Sequence, residues 1–478
     1  MAKFNPARKT GPDTENLEGA PAYSESPKLE FVSLLLTSFV EDKFYESASA
    51  QTKRTVDLMN RIPDKEFLAK AALFARNEYG MRSISHVVAS HLAETANGEE
   101  WPKRFYAKVA RRPDDVTEII SRYAASYNRL PRQIPNALKK GLGMALTKFD
   151  EYQVAKYQGK SKSVSLVDAV NICHPKETDA IKALVTGTLK PADTWEVKMT
   201  QTKGDKQKKE QAWTDLVKSR KIGYFALLRN LRNILQQAPE LVKDACELLC
   251  DRRMIKKSLV LPFRFLTAIE EIEKLSGPGV QIVLTHINEA IDISIDNIPE
   301  FPGRTLIAVD GSGSMSGRPM QIASVFAAAL AKQNPDADMI IFSNRARYYN
   351  PRRGDSMLSI ADRIKKKCEY QGTDFQCVFD TANQPYDRII ILSDMQAWVR
   401  AYGYRDSNPG PALRKYKQRF NCDPCVHSFD LNGYGSLQFP ERNVYAYAGF
   451  SEKVFDVMKI IESDKEALLR KIEGVEIG

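Results

Sequence analysis

The spacing of apolar residues changes once along this chain, near residue 300, and no single fold accommodates both patterns. From about Lys28 to Ile298 apolar side chains return every third or fourth residue, and alternating runs of strand type are almost absent. Between Ile222 and Leu235, residues Tyr224, Leu227, Leu228, Leu231, Ile234 and Leu235 fall on one stripe while Arg229, Asn230 and Arg232 lie elsewhere, as an amphipathic helix requires. Similar stripes run through 55–62, 66–77, 116–127, 134–149, 179–186, 241–249, 261–272 and 280–291, punctuated by Pro63, Pro113, Pro131, Pro175, Pro239 and Pro278. Many short helices with short connections suit an α-solenoid of stacked, HEAT-like helix pairs. An irregular all-α domain is the alternative, because no exact repeat is visible.

After Asn297-Ile298-Pro299 and Phe301-Pro302-Gly303 the apolar residues become continuous: 305–309, 339–343, 389–393, 425–431 and 444–447 read as strands buried on both faces. Helical patterns at 321–332, 357–367, 410–419 and 451–462 alternate with them, which predicts a doubly wound, mostly parallel sheet. The expected organisation is an N-terminal tail over 1–27, without an apolar core and read as mobile, then a helical domain over 28–300 and an α/β domain over 301–478. The longest early apolar stretch, Phe31 to Val40, is broken by Ser33, Thr37 and Ser38 and is too short to span a membrane. Seven cysteines without framework spacing suit a reducing, cytoplasmic setting, and Cys422-Asp423-Pro424-Cys425 alone is half a zinc site at best.

The first strand of the second half ends in Asp310-Gly311-Ser312-Gly313-Ser314, where ligand sites form in open α/β sheets. A carboxylate with hydroxyls at alternate positions offers only hard oxygen donors, and two later segments would complete the shell: Gly372-Thr373-Asp374, just before a helix, and Ser393-Asp394 at the end of the 389–392 strand. Such a loop alone is common in glycine-rich turns. Together, Asp310, Ser312, Ser314, Thr373 and Asp394 resemble the metal-ion-dependent adhesion site of von Willebrand factor type A domains, with all five positions filled in order. The resemblance implies magnesium held partly through water, with one coordination place free for an acidic group from a protein partner.

A net charge of +10 favours a polyanionic partner, and the cations crowd 129–162 and 198–221. Arg129, Arg132, Lys139, Lys140, Lys156, Lys160 and Lys162 would bind phosphate without reading sequence, and Tyr152 and Tyr157 among them would stack on unpaired bases. The plainer alternative is a set of solvated helix faces with inward tyrosines. Several segments, in order, resemble the TROVE domain of the Ro ribonucleoprotein family: Leu130-Pro131, Gln153 to Tyr157, Ile172 to Lys176, Trp195-Glu196, Ala226 to Leu231 and Leu261 to Leu266. The resemblance implies a ring of helical repeats that binds Y-type noncoding RNA on its outer surface and takes single-stranded 3′ ends of misfolded RNA into its hole. It implies Lys156, Lys160 and His174 as Y RNA contacts, although His174 is followed here directly by Pro175. An exoribonuclease partner, a monomeric protein component and no membrane association belong to the same expectation.

No enzyme is expected and no catalytic residue is assigned. The five histidines lack metalloprotease spacing, and neither a GxxxxGK[ST] loop nor a GxSxG elbow is present. Two other functions compete with RNA binding: a metal-dependent protein-interaction scaffold without physiological RNA, and a cryptic metal-dependent nuclease.

Overall fold

The continuous apolar runs of the C-terminal part do become strands buried on both faces. The computed structural model describes residues 14–15, 21–22, 27–37, 48–157, 163–192, 195–202, 205–352, 354–395, 410–431, 443–448, 454–463 and 467–478. Its six-stranded sheet comprises β1 (Thr305–Asp310), β2 (Asp338–Phe342), β3 (Ala346–Tyr348), β4 (Arg388–Ser393), β5 (Cys425–Asp430) and β6 (Val444–Ala448), in spatial order β3-β2-β1-β4-β5-β6. All neighbours are parallel except β3, which runs antiparallel to β2. The periodicity missed β3 because it is a three-residue edge strand with Ala, Arg and Tyr in place of an apolar run. The register pairs Asp310 with Phe342 and Val309 with Leu392, so the ends of β1, β2 and β4 reach one edge together. Leu306, Ala308, Ile340, Ile389 and Ile391 pack with Phe375, Phe379, Leu413 and Tyr416 in a core with almost no exposed surface.

The chain folds as two compact units, one of residues 27–203 with 459–478 and the other of 204–458 with 1–26. In the second unit, helices α12 (Lys206–Lys218), α13 (Tyr224–Gln237), α14 (Val242–Leu249), α15 (Arg252–Ser258), α16 (Leu266–Glu273) and α17 (Pro278–Ser294) precede the sheet. The sheet is flanked by α18 (Arg318–Gln333), α19 (Met357–Lys367), α20 (Gln376–Thr381) and α21 (Gly410–Phe420). Arg318 pairs with Glu270 at 2.8 Å, Lys332 pairs with Asp292 at 3.3 Å, and Asp292 also accepts from the backbone N–H of Met357. The change of periodicity near residue 300 therefore falls inside this unit.

The first unit is helical: α1 (Pro27–Thr37), α2 (Ala48–Asn60), α3 (Lys65–Glu78), α4 (Ser83–Thr95), α5 (Pro102–Val109), α6 (Pro113–Ser126), α7 (Asn136–Leu146), α8 (Glu151–Tyr157), α9 (Leu166–Cys173), α10 (Asp179–Thr186) and α11 (Trp195–Gln201). Caps set several starts. Asp64 accepts from the N–H of Phe67, Ser165 and Asp168 form a reciprocal capping box, and Thr178 accepts from Ile181. The sequence stripes overlooked α4 because every residue from Ser83 to Ala93 is buried, which leaves no polar face to give a period.

Two features tie this unit together. Asp115, fully buried, accepts from Arg76 at 2.7 Å, Arg82 at 2.6 Å, His86 at 3.1 Å and the backbone N–H groups of Arg111 and Arg112, joining α3, α4 and α6. At the C-terminal end, the helix Ala467–Glu473 and the residues after it lie on α3 and α5, where Lys70 donates to the carbonyl of Glu473 and Lys108 to that of Glu476. No described helix is long and apolar enough to cross a membrane.

Candidate functional site

Asp310 closes β1 with its side chain fully buried. Its Oδ1 accepts from the N–H of Ser312 at 2.9 Å, and its Oδ2 accepts from the hydroxyl of Ser393, the last residue of β4, at 2.5 Å. The Ser312 and Ser314 hydroxyls lie 3.2 Å apart; Ser312 is buried and Ser314 exposed. Backbone hydrogen bonds stitch the metal-type loop to the segment that carries Thr373: Tyr370 donates to Gly311 at 2.8 Å, Gly313 donates to Gln371 at 3.0 Å, and Gly311 donates to Phe342 at 2.7 Å. Thr373 and Asp394 are both buried. Tyr370 and Met395, one on each supporting loop, hold left-handed backbone at φ 54° and 59°, an unfavourable conformation for such side chains.

The sequence reading places Ser393 beside Asp394 in a shell-completing segment without giving it a role, and in the structure its hydroxyl orients Asp310 and accepts the N–H of Met395 at 3.0 Å. Burial, with the charge of Asp394 adding to it, pushes the Asp310 carboxyl up to about 7. Asp310 forms no ion pair with a described basic side chain, so the cost of burying its charge is answered only by hydrogen bonds from Ser393 and Ser312. Two buried carboxylates with hydroxyl neighbours form an oxygen-only donor set that fits a small hard cation such as magnesium. The thiols of Cys368 and Cys377 lie close enough to feel the same charge, and both are pushed up, mainly by burial, that of Cys368 to about 12. All seven cysteines are free.

The basic residues divide into small groups. On α7, Gly141 faces α5 so closely that a Cβ there would lie 2.5 Å from the carbonyl oxygen of Lys103, and Gly143 faces Cys173 of α9. With those faces buried, Lys140 and Met144 are turned outward, one turn apart. Lys139 lies near enough to Cys173 to lower the thiol against the larger upward push of burial, which brings it to the end of α9 where His174 stands. His174 is exposed and serves as a left-handed helix cap, φ 46° and ψ 58°, its N–H donating to the carbonyl of Val170.

Lys156 is exposed on α8, 5.5 Å from the ring of Tyr157, whose face is covered by the guanidinium of Arg112 at 4.3 Å. Arg112 was not among the sequence candidates, because a residue just before Pro113 reads as a helix start and nothing local predicts its long-range partner. Tyr152 is half exposed, so of the two tyrosines it has the freer ring. Arg129 is engaged by Glu94 at 3.4 Å, whereas exposed Arg132 forms no ion pair with a described residue. Lys160 and Lys162 lie outside the described residues.

The TROVE domain family matches residues 32–210 and 186–288. The chain is 20% identical over 345 residues to telomerase protein component 1 of Rattus norvegicus and 21% identical over 345 residues to that of Mus musculus, in each case covering 53% of this chain. It spans only 13% of the length of those relatives. Among solved structures it resembles the Ro (RSR) protein of Deinococcus radiodurans, with a TM-score of 0.66, 18% identity, and coverage of 91% of this chain and 99% of that one. At that identity the likeness speaks for fold alone. The family match runs through more than half of the sequence, including the α7 to α9 surface that carries the lysines, and this chain belongs to the TROVE-domain family.

Proposed function

We propose that this protein is the RNA-binding component of a small cytoplasmic ribonucleoprotein. The observation that carries the reading is the TROVE match, and it is supported inside that region by Lys140, Lys156 and His174, exposed on α7, on α8 and at the end of α9, with half-buried Lys139 near Cys173 and the exposed ring of Tyr152 on α8. Among the described residues, none of Lys139, Lys140 and Lys156 forms an ion pair with a carboxylate, which suits contact with phosphate. The helical part acts as a solenoid ring: a Y-type noncoding RNA occupies its outer face and single-stranded ends of misfolded RNA enter its hole. The task is RNA quality control as a monomeric protein without catalysis of its own, with an exoribonuclease as the acting partner.

The 301–478 region is assigned as a von Willebrand factor type A domain whose Asp310, Ser312, Ser314, Thr373 and Asp394 hold magnesium, partly through water. Bound there, magnesium supplies a Lewis-acidic coordination place for an acidic group of a partner. The buried, like-charged pair of Asp310 and Asp394 favours this second role, and it would also serve a protein-interaction scaffold that binds no RNA.

A titration with a hairpin RNA carrying a single-stranded tail separates the two. RNA binding predicts salt-sensitive association that weakens in Lys156→Ala/Lys160→Ala and survives Asp310→Ala. Association that ignores both salt and the lysines leaves only the scaffold. Magnesium-dependent RNA cleavage that disappears in Asp310→Ala would make the protein a nuclease instead.

A further inference from the structure

We infer that the face beside the metal loop receives an acidic peptide bearing two carboxylates, one for the cation and a second for a cationic pocket built from Arg345, Arg347 and Lys367. The inference rests on the metal reading above and names the chemistry of the partner. The pocket has a volume of about 220 Å³ and is walled by Phe342 and Ser343 at the end of β2, Arg345 just before β3 and Arg347 within it, Lys367 at the end of α19, and Glu369 after it. It abuts the metal loop through the backbone, because Gly311 donates to the carbonyl of Phe342 on one side and accepts from Tyr370, the residue after Glu369, on the other.

The charge balance of the pocket is lopsided. Three cations stand against one carboxylate, and Glu369 is already answered by Arg347 at 3.0 Å. Arg347 is further fixed by its hydrogen bond to the carbonyl of Lys367. Arg345 and Lys367 are exposed and neither forms an ion pair with a described residue; the ammonium of Lys367 rests 5.5 Å from the ring of Tyr349. Tyr370, next in sequence to Glu369, is 45% exposed on a left-handed backbone, and its N–H donates to the carbonyl of Gly311 in the metal loop. An exposed tyrosine between two anion acceptors is a suitable anchor for a peptide backbone. The small volume favours one acidic side chain over a nucleotide, which must seat a sugar and base next to each phosphate.

Calorimetry on the full chain tests this with three probes: magnesium alone, hexaglutamate, and a glycine peptide carrying one glutamate. With magnesium present, hexaglutamate is expected to bind about tenfold tighter than the single-glutamate peptide, since linked contacts raise effective concentration. Arg345→Glu/Lys367→Glu should erase that advantage and leave magnesium affinity unchanged. Lys256→Glu/Lys257→Glu, an equal charge change on α15, should preserve the advantage. The inference is overturned if hexaglutamate has no advantage, if the advantage survives the pocket variant or EDTA, or if oligouridylate binds more tightly than hexaglutamate with the same dependence on the pocket. Magnesium binding without a pocket effect would sink the inference and leave the metal reading standing; failure to bind magnesium would sink both.

Discussion

Two buried carboxylates, Asp115 in the helical unit and Asp310 at the sheet edge, meet opposite surroundings. Burial would raise both, but around Asp115 the chain supplies Arg76, Arg82, His86 and two backbone N–H groups, and its carboxyl is held well below the usual range. Around Asp310 the chain supplies hydroxyls, one backbone N–H and a second carboxylate, so its carboxyl is pushed up instead. A buried charge that serves the fold comes with its own counter-charges. One whose compensation is missing from the chain points to a cation from outside.

The sharpest way to break this contrast is to remove the charge at each place. Asp115→Asn leaves Arg76 buried without its anion, while Arg82 keeps Asp114 and Glu118, and should cost about 3 to 5 kcal/mol in a denaturant titration. The corresponding Asp310→Asn should leave the metal-free protein as stable or more so; equal losses at the two sites would dissolve the comparison. Next in size is the ligand effect: magnesium at a hundredfold excess over its Kd should stabilise the protein by about 2.7 kcal/mol, read as a rise in Tm, and Asp310→Ala should abolish the rise.

The pH dependences should also run in opposite senses. Asp115, lowered from 3.8, contributes stability that is present above that value and lost as pH falls below it. Asp310, raised to about 7, binds more protons when folded, so without metal its contribution to stability declines between about pH 4 and 7. Magnesium must displace that proton, and its affinity should therefore rise from pH 5.5 to 7.5 and level off above. A flat profile would mean that Asp310 is already ionised. The smallest effect concerns RNA: Lys140→Ala should reduce the slope of log affinity against log salt by about 0.7 if that lysine meets single-stranded phosphate.

Local patterns were legible in the sequence and long-range compensation was not. Five of the six strands announced themselves because residues buried on both faces give unbroken apolar runs, and Asp310, Ser312 and Ser314 lie so near in sequence that their pattern marks a candidate loop. The role of Ser393 was hidden, since a serine closing a strand is ordinary until its neighbour in the sheet is known to be Asp310. The Arg112–Tyr157 contact and the five donors around Asp115 were hidden for the same reason: each joins elements that periodicity treats separately. Gly141 and Gly143, on which the sequence reading is silent, are what lets α7 approach α5 and α9.

The docking of residues 467–478 on α3 and α5 bears on how the polypeptide is made. The hydrogen bonds from Lys70 and Lys108 end on backbone carbonyls that leave the ribosome only after the entire α/β sheet has been synthesised. Helices translated first must wait for their closing piece, a connection of very high contact order that slows maturation and keeps an apolar seam open meanwhile. Cutting the gene at the visible change of pattern would deprive the N-terminal product of that seal, so an isolated helical fragment is a poor stand-in for the same helices within the full-length protein.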